Sequence, residues 1–389
     1  MLSHAALFMR FLRFGAMAFG GPVAQIAMIR RELVDEERWI DSQSFNRLLG
    51  VMQVLPGPEA HELCVHLGIR AKGRLGGLLA GLGFMLPGLC LMLLAAWAYT
   101  RLRIDGTVLG ALFLGVQAAV LGVIVRAVHR IGEHILLDRW LWLTAAGSAG
   151  AALVGVSFWI VLPAAGAAYA LTSSGRYALA VLVVLAAGTG ALLVASLGDG
   201  VGRTTLENVD AAPTALALFW AGLKGGLLTF GGAYTAIPFV RNDTVGRGWM
   251  TDGQFLDGVA LAGILPAPLV IFATFVGWIS GGPAGALAIT AGMFLPAFAF
   301  SLLFYERLEA LAEHKRLQGV LAGVAAGVVG LIVVTLLDLA RAASDRTPNL
   351  SLSIAIFAVA LIVVYRWKSK AATPLALGIG AVVGAVVFG

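Results

Sequence analysis

Apolar runs of about twenty residues follow one another along almost the whole chain, and no other feature limits its fold as strongly. In hydrocarbon every backbone N–H and C=O needs a partner inside the protein, so runs of this kind fold as helices. The candidate segments lie near 5–22, 46–66, 77–99, 107–128, 140–157 and 158–173, then 177–198, then 213–235, 253–279, 284–304, 317–337, 350–366 and 373–388. The fifth and sixth are short, so about 12–13 membrane segments are expected. The fold class is therefore an all-α polytopic transmembrane bundle. Charge agrees: 12% of the residues are Asp, Glu, Lys or Arg, about half the share of a soluble domain.

The net charge of +6 does not point to nucleic acid, because the Lys and Arg residues form short clusters between apolar runs. The expected surroundings are a lipid bilayer. Cys64 and Cys90 form no CxxC pair, so neither a disulfide framework nor thiol redox chemistry is expected. Arg10 and Arg13 interrupt the first apolar run and no small-residue cleavage site follows, which speaks against a cleavable signal peptide.

The chain repeats itself. Residues 19–30 read FGGPVAQIAMIR and residues 230–241 read FGGAYTAIPFVR. VLPGPEAHELCVHLG (54–68) aligns with ILPAPLVIFATFVG (264–277), with one residue lost. GFMLPG (83–88) aligns with GMFLPA (292–297), and GVQAAVLGVIV (115–125) with GVAAGVVGLIV (323–333). Two related repeats, 1–172 and 212–389, are thus joined by a linking stretch, 173–211, that carries one extra apolar run. Six segments plus one is an odd number, so the second repeat enters from the opposite face. Loop charges fit that inversion: Arg70, Lys72 and Arg74 stand where the second repeat has the uncharged Ser280–Pro283, and Arg366, Lys368 and Lys370 stand where the first has none. Placing the basic member inside each time puts the N-terminus inside and the C-terminus outside. The acid-rich stretch 30–47 departs from this pattern. Inverted repeats with interrupted helices are the usual build of secondary transporters.

Four pairs of features recur in both repeats. Gly20–Gly21 and Gly231–Gly232 read as backbone turns that approach a ligand closely and gather N–H groups around an anion, or as tight helix packing. Arg13 and Lys224 each precede the glycine pair by seven residues inside apolar runs, where an ionised group is costly and is functional or partnered. Arg30 and Arg241 close the two motifs and bind anion or snorkel to headgroups. Pro56–Gly57–Pro58 and Pro266–Ala267–Pro268 break their helices, or merely kink them; a break starts a second helix whose free N–H groups favour an anion.

The repeats differ just after that break. The first carries Glu59, His61, Glu62 and His66; the second has Leu269, Val270, Ile271, Phe272 and Thr274 across the same region. Glu59, Glu62 and His66 share a helical face, and with His61 they read as proton-coupling groups or as a solvated helix end. They also resemble a metal constellation, but no partner set exists elsewhere in the sequence, so neither metal nor cofactor is expected. His129, His134 and His314 fall in charged loops and receive no role.

These motifs, with WIDSQSFNRLLGVMQVLPGPEAHELCVHLG and GWMTDGQFLDGVALAGILPAPLVIFATFVG around them, resemble the chromate ion transporter family in its long, two-domain form. The resemblance implies an inner (plasma) membrane protein that moves chromate, usually outward to give resistance, with sulfate as the look-alike. Two residues depart from the family pattern: Ala267 replaces a glycine common in the second Pro-Gly-Pro, and Gln25 stands where a histidine is often found. Competing readings are a transporter of sulfate or another oxyanion, an uncoupled anion channel, a chromate-reducing membrane enzyme, and a scaffold. The enzyme would need a redox motif that the sequence lacks, and the scaffold leaves the intramembrane cations unexplained. Association as a homodimer is compatible with the sequence.

Overall fold

The computed structural model describes residues 3–54, 56–102, 107–197, 212–304, 315–367, 369 and 371–389. Leu55, His314, Lys368 and Lys370 lie outside these described residues. Within them the chain is helical, with no strand. The first repeat contains α1 (His4–Ala16), α2 (Gly21–Arg30) with a π-helical extension (Arg31–Glu36), α3 (Ser42–Val54), α4 (Glu59–Arg101), α5 (Val108–Ile135), α6 (Arg139–Leu153) and α7 (Phe158–Ser173). After α8 (Tyr177–Leu197) the order recurs as α9 (Ala215–Leu227), a 3-10 turn (Ala233–Ala236) with α10 (Ile237–Thr244), α11 (Asp252–Ile264), a 3-10 turn (Leu269–Ile271) with α12 (Phe272–Phe304), α13 (Lys315–Arg346), α14 (Leu350–Arg366) and α15 (Ala372–Val387).

Four stretches are long and apolar enough to cross a membrane: Glu59–Arg101, Val108–Ile135, Leu269–Phe304 and Leu317–Arg346. Shorter apolar helices surround them, including α7, α9, α14 and α15. The protein is thus a multi-pass helical membrane protein. The expected segments at 158–173 and 350–366 coincide with α7 and α14.

Other segments fold back where the sequence reading ran straight. α1 and α9 have 13 residues each, about 20 Å of helix against about 30 Å of hydrocarbon. Neither 5–22 nor 213–235 is one continuous helix. After each glycine pair the chain returns along the helix it has just left: Arg13 meets Glu32 and Arg10 meets Glu37 in the first repeat, and Lys224 meets Asp243 in the second. The loop expected at 70–74 is a tight reversal within α4, at Lys72–Gly73, so that His61 on its first arm (59–71) reaches the Gly81 carbonyl on its second (74–101) at 3.2 Å. α12 reverses likewise at Gly281–Gly282, where Thr274 and Thr290 hydroxyls meet at 2.7 Å across its arms (272–280 and 283–304). The arms touch through glycine: a methyl on Gly68 or on Gly277 would come within 2.5 Å of the Gly76 or the Gly285 carbonyl oxygen.

The largest buried cluster mixes the repeats, combining Met85, Met92 and Ile124 with Phe255, Phe272 and Phe294. A second, formed by Phe11, Phe14, Phe45, Leu63 and Phe84, belongs to the first repeat alone. Between α5 and α6, Asp138 caps α6 by accepting from the Trp140 and Leu141 amides at 2.7 and 3.0 Å and from the Tyr169 hydroxyl at 2.7 Å. Burial pushes its carboxyl up, but these hydrogen bonds, led by that of Tyr169, outweigh it and hold it below the usual carboxylate value. His129 and His134 are not in a loop. They lie on the last turns of α5, where the His129 ring stacks on Tyr365.

Candidate functional site

Both glycine pairs turn the backbone left-handed, with φ of 89° and 77° at Gly20 and Gly21 and of 67° and 142° at Gly231 and Gly232. A methyl on Gly21 would meet nothing within 4 Å, so there the requirement is conformational rather than steric. In the second repeat the turn is tied by Thr235, whose hydroxyl accepts from the Phe230 amide at 3.1 Å and donates to the Gly232 carbonyl at 2.6 Å.

The four repeated cations all have partners. Arg13 donates to both oxygens of Glu32 at 2.9 and 3.0 Å. Lys224 pairs with Asp243. Glu32 and Asp243 are 5% and 4% exposed, so each buried carboxylate depends on its cation. Each pair spans 19 residues of sequence, and the two are repeat-equivalent. Arg241 holds Asp252 at 2.6 and 3.0 Å, and Arg30 donates to Ser42 and Asn46 at 2.9 and 3.1 Å. Ser42 and Asp252 are equivalent positions as well. Sequence reasoning found the cations and missed Glu32, Asp243 and Asp252; the signal was there in the common spacing. The acid-rich stretch after Arg30 thus serves as counter-charge to α1, which explains its departure from the loop-charge pattern.

The Pro-x-Pro breaks lie where the repeats meet. Pro58 precedes α4 in extended conformation (φ −74°, ψ 100°) and Pro268 precedes the second break's helix likewise (φ −57°, ψ 131°), so both are true interruptions. The Gly57 amide donates to the Thr229 carbonyl at 2.9 Å, joining the first break to the chain just before the second glycine pair. In return, the buried Gln25 amide donates to the carbonyls of Ala18 and Ala267, each at 2.9 Å, joining the second break to the chain just before the first pair. Ala18 and Thr229 are equivalent residues. The same exchange recurs against the helices: Gly57 faces Ala297 of α12, and Ala267 faces Gly88 of α4. Gly88 and Ala297 are again equivalent, so each contact joins one glycine to one alanine in opposite order.

Burial divides the acid–imidazole group. His61 is fully buried, with its ring 4.9 Å from that of Phe294 and 4.7 Å from that of Phe298, and serves as an aromatic contact between repeats. Glu59 and His66 are half-buried. Glu62 is fully buried against Gly57 with neither carboxyl oxygen hydrogen-bonded. No hydrogen bond or ion pair among the described residues joins Arg13, Arg30, Lys224 or Arg241 to either break. The structure thus brings each break to the other repeat's approach to its glycine pair, with Glu62 beside Gly57 of the first break. The cations stand in a surrounding layer, Arg13 with 60% of its side chain exposed and Lys224 with 20%.

This architecture has relatives. The family model described as Chromate transporter matches residues 5–192 and 216–385, one stretch for each repeat. A chromate transport protein of Pseudomonas aeruginosa is 62% identical over 387 residues, covering all of this chain and 93% of that relative. A probable chromate transport protein of Synechococcus elongatus is 29% identical across 97% of this chain and 94% of its own length. A chromate transport protein of Cupriavidus metallidurans is also 29% identical, across 98% and 92%. No solved structure matches. With both repeats matched and full-length similarity to a chromate transport protein, the chain belongs to the chromate transporter family.

Proposed function

We propose that this chain carries chromate outward across the inner membrane by alternating access, with sulfate as a competing tetrahedral dianion. The observation that carries this reading is the reciprocal seating of the two breaks. Each rests on the other repeat's helix, so a rocking of one repeat against the other must move both breaks at once. The repeats are taken as inverted; the equivalent turns at Lys72–Gly73 and Gly281–Gly282 differ by Arg70, Lys72 and Arg74 against no charge, which supports opposite faces of the membrane.

The anion sits between the breaks, held by backbone N–H groups around Gly20, Gly21, Gly231, Gly232 and Ala267 and by the N-terminal end of α4; the Gly57 amide joins them only once its bond to the Thr229 carbonyl opens. Lys224 begins the transport cycle bound to Asp243 and turns to the anion when the site opens. Arg13 and Arg241 act through their ion pairs with Glu32 and Asp252, and Arg30 through its hydrogen bonds to Ser42 and Asn46, by fixing the helices that return behind the glycine pairs. All these residues come from one chain, so the site is complete whether or not two copies form a homodimer. The membrane potential contributes about 2.3 kcal/mol per charge per 100 mV, roughly 4.6 for a dianion, in the outward direction. Export on this scale needs no nucleotide.

Proteoliposomes under an imposed voltage test this. Chromate efflux that saturates, follows voltage and is competed by sulfate is the expected result. Current that never saturates and reverses at a single-ion Nernst potential would make the protein a channel, and absence of chromate flux would refute the substrate.

A further inference from the structure

Glu62 stands in the first break in a way that anion binding alone does not explain. It lies on the first turn of α4, is fully buried, and among the described residues neither carboxyl oxygen has a hydrogen-bond partner. The carboxyl rests against the Gly57 Cα, where a methyl group would collide with Oε1. It therefore occupies the mouth of α4, the place where the break offers its backbone to an anion.

The elements packed on α4 bring Glu62 no counter-ion. α12 and the 3-10 turn Leu269–Ile271 carry no titratable residue. On α1, His4 is exposed while Arg10 and Arg13 are held by Glu37 and Glu32. Arg30 of α2 is bound to Ser42 and Asn46, and Arg47 of α3 is exposed. On α11, Asp252 holds Arg241, and Asp257 accepts from Tyr99 and Gln117. α4 itself adds a second acid, Glu59, which His134 of α5 faces, and two imidazoles; His61 is turned to the Gly81 carbonyl and His66 lies one turn further on, while Arg70, Lys72, Arg74 and Arg101 lie two or more turns beyond Glu62. A carboxylate here and a dianion in the same break would repel each other at close range, away from water.

We propose that Glu62 is a proton-binding residue that must be protonated before a tetrahedral dianion enters the break, so that one proton crosses with each anion in the same direction. This rests on the oxyanion-transport reading. The carboxylate takes one proton from the solution to which the break is open, and the new O–H donates toward the anion. When the anion leaves on the far side, the proton follows it into that solution and the carboxylate is restored. The equivalent residue in the second repeat is Phe272, also fully buried, so the second break supplies no second proton. One proton per dianion leaves one negative charge in motion. A negative interior still drives that charge outward, and it opposes entry, so the count of one sets the direction that voltage favours.

Proteoliposomes holding the full chain, chromate and a pH-sensitive dye, with voltage clamped by potassium and valinomycin, test the proposal. Chromate efflux is expected to make the lumen more alkaline by one proton per anion. The flux is expected to fall roughly tenfold per pH unit on the alkaline side. Glu62→Gln is expected to abolish the proton signal and the pH dependence, and Glu62→Asp to keep both. Chromate flux without a proton signal in the wild type overturns the proposal and leaves the transport reading standing; no chromate flux at any pH overturns both. A proton signal that survives in Glu62→Gln places the proton on the anion or another group, and flux that requires sodium when N-methylglucamine is the alternative makes Glu62 a sodium site. Either result also overturns it.

Discussion

Lys224 has two duties that a single substitution confounds. Its partner Asp243 is 4% exposed, and the other nearby cation, Arg247, is 4.0 Å away and outside hydrogen-bond reach. Lys224→Ala therefore leaves a buried carboxylate uncompensated, at a cost of about 3–5 kcal/mol, and is expected to lower the melting temperature in detergent sharply. Removing both charges, Lys224→Ala with Asp243→Asn, is expected to restore most of that loss. If Lys224 also meets the anion during transport, the double variant folds and moves no chromate; chromate flux equal to wild type in that variant would confine Lys224 to the ion pair. The cation was legible in the sequence because an ionised group stands out in an apolar run. Its partner was not, because Asp243, like Glu32, falls in a polar stretch where an acid looks like part of a solvated loop. Only the fold back at the glycine pair turns a separation of 19 residues into contact.

At the scale of elements, the proposed function depends on interruptions: two glycine turns, two Pro-x-Pro breaks and two helices folded on themselves. The breaks were legible, since proline within an apolar run has few other meanings. The reversals at Lys72–Gly73 and Gly281–Gly282 were legible too, as the loops 70–74 and 280–283 between separate apolar segments. The fold backs at the glycine pairs were not, because hydropathy reports the length of a run and says nothing about whether it doubles back. Nor did hydropathy show which helix each break would touch. Those contacts allow a test. A methyl added to Gly88 would fall on the methyl of Ala267, so Gly88→Ala is expected to overpack the second break and cost about 1–3 kcal/mol. Adding Ala267→Gly removes the clashing methyl and reproduces the order of the other contact, where Gly57 faces Ala297. The pair is therefore expected to recover stability, with a coupling energy of about 0.5–3 kcal/mol in thermal unfolding of the four proteins of the cycle. Additive effects would mean that the break and α4 do not touch. Ala267 thus has a physical setting: its methyl faces a glycine.

The whole molecule extends the exchange seen at the breaks. α5 of the first repeat is packed by α14 and α15 of the second; a methyl on Gly115 would lie 2.7 Å from the Gly384 Cα, and one on Gly122 3.1 Å from the Leu361 amide. α13 of the second repeat is packed by α6 and α7 of the first, with Gly330 as close to Ala149 and Gly323 to Gly166, 2.9 Å in each case. Small residues let these backbones approach, as in other membrane helix pairs, and the positions correspond between repeats. Each repeat thus lends its last two helices to the long helix of the other. Separated, α5 and α13 would each expose a glycine-lined face with no partner to fill it. Residues 1–197 and 212–389 expressed as separate chains are therefore expected to be unstable singly and to co-purify as one folded particle when made together. Gly330→Leu in the second fragment would place a bulky side chain against α6 and is expected to abolish co-purification. Recovery of either fragment alone as a monodisperse helical protein in detergent would show that the repeats are independent bundles, and a motion carried by their interlocking would then have no structural basis.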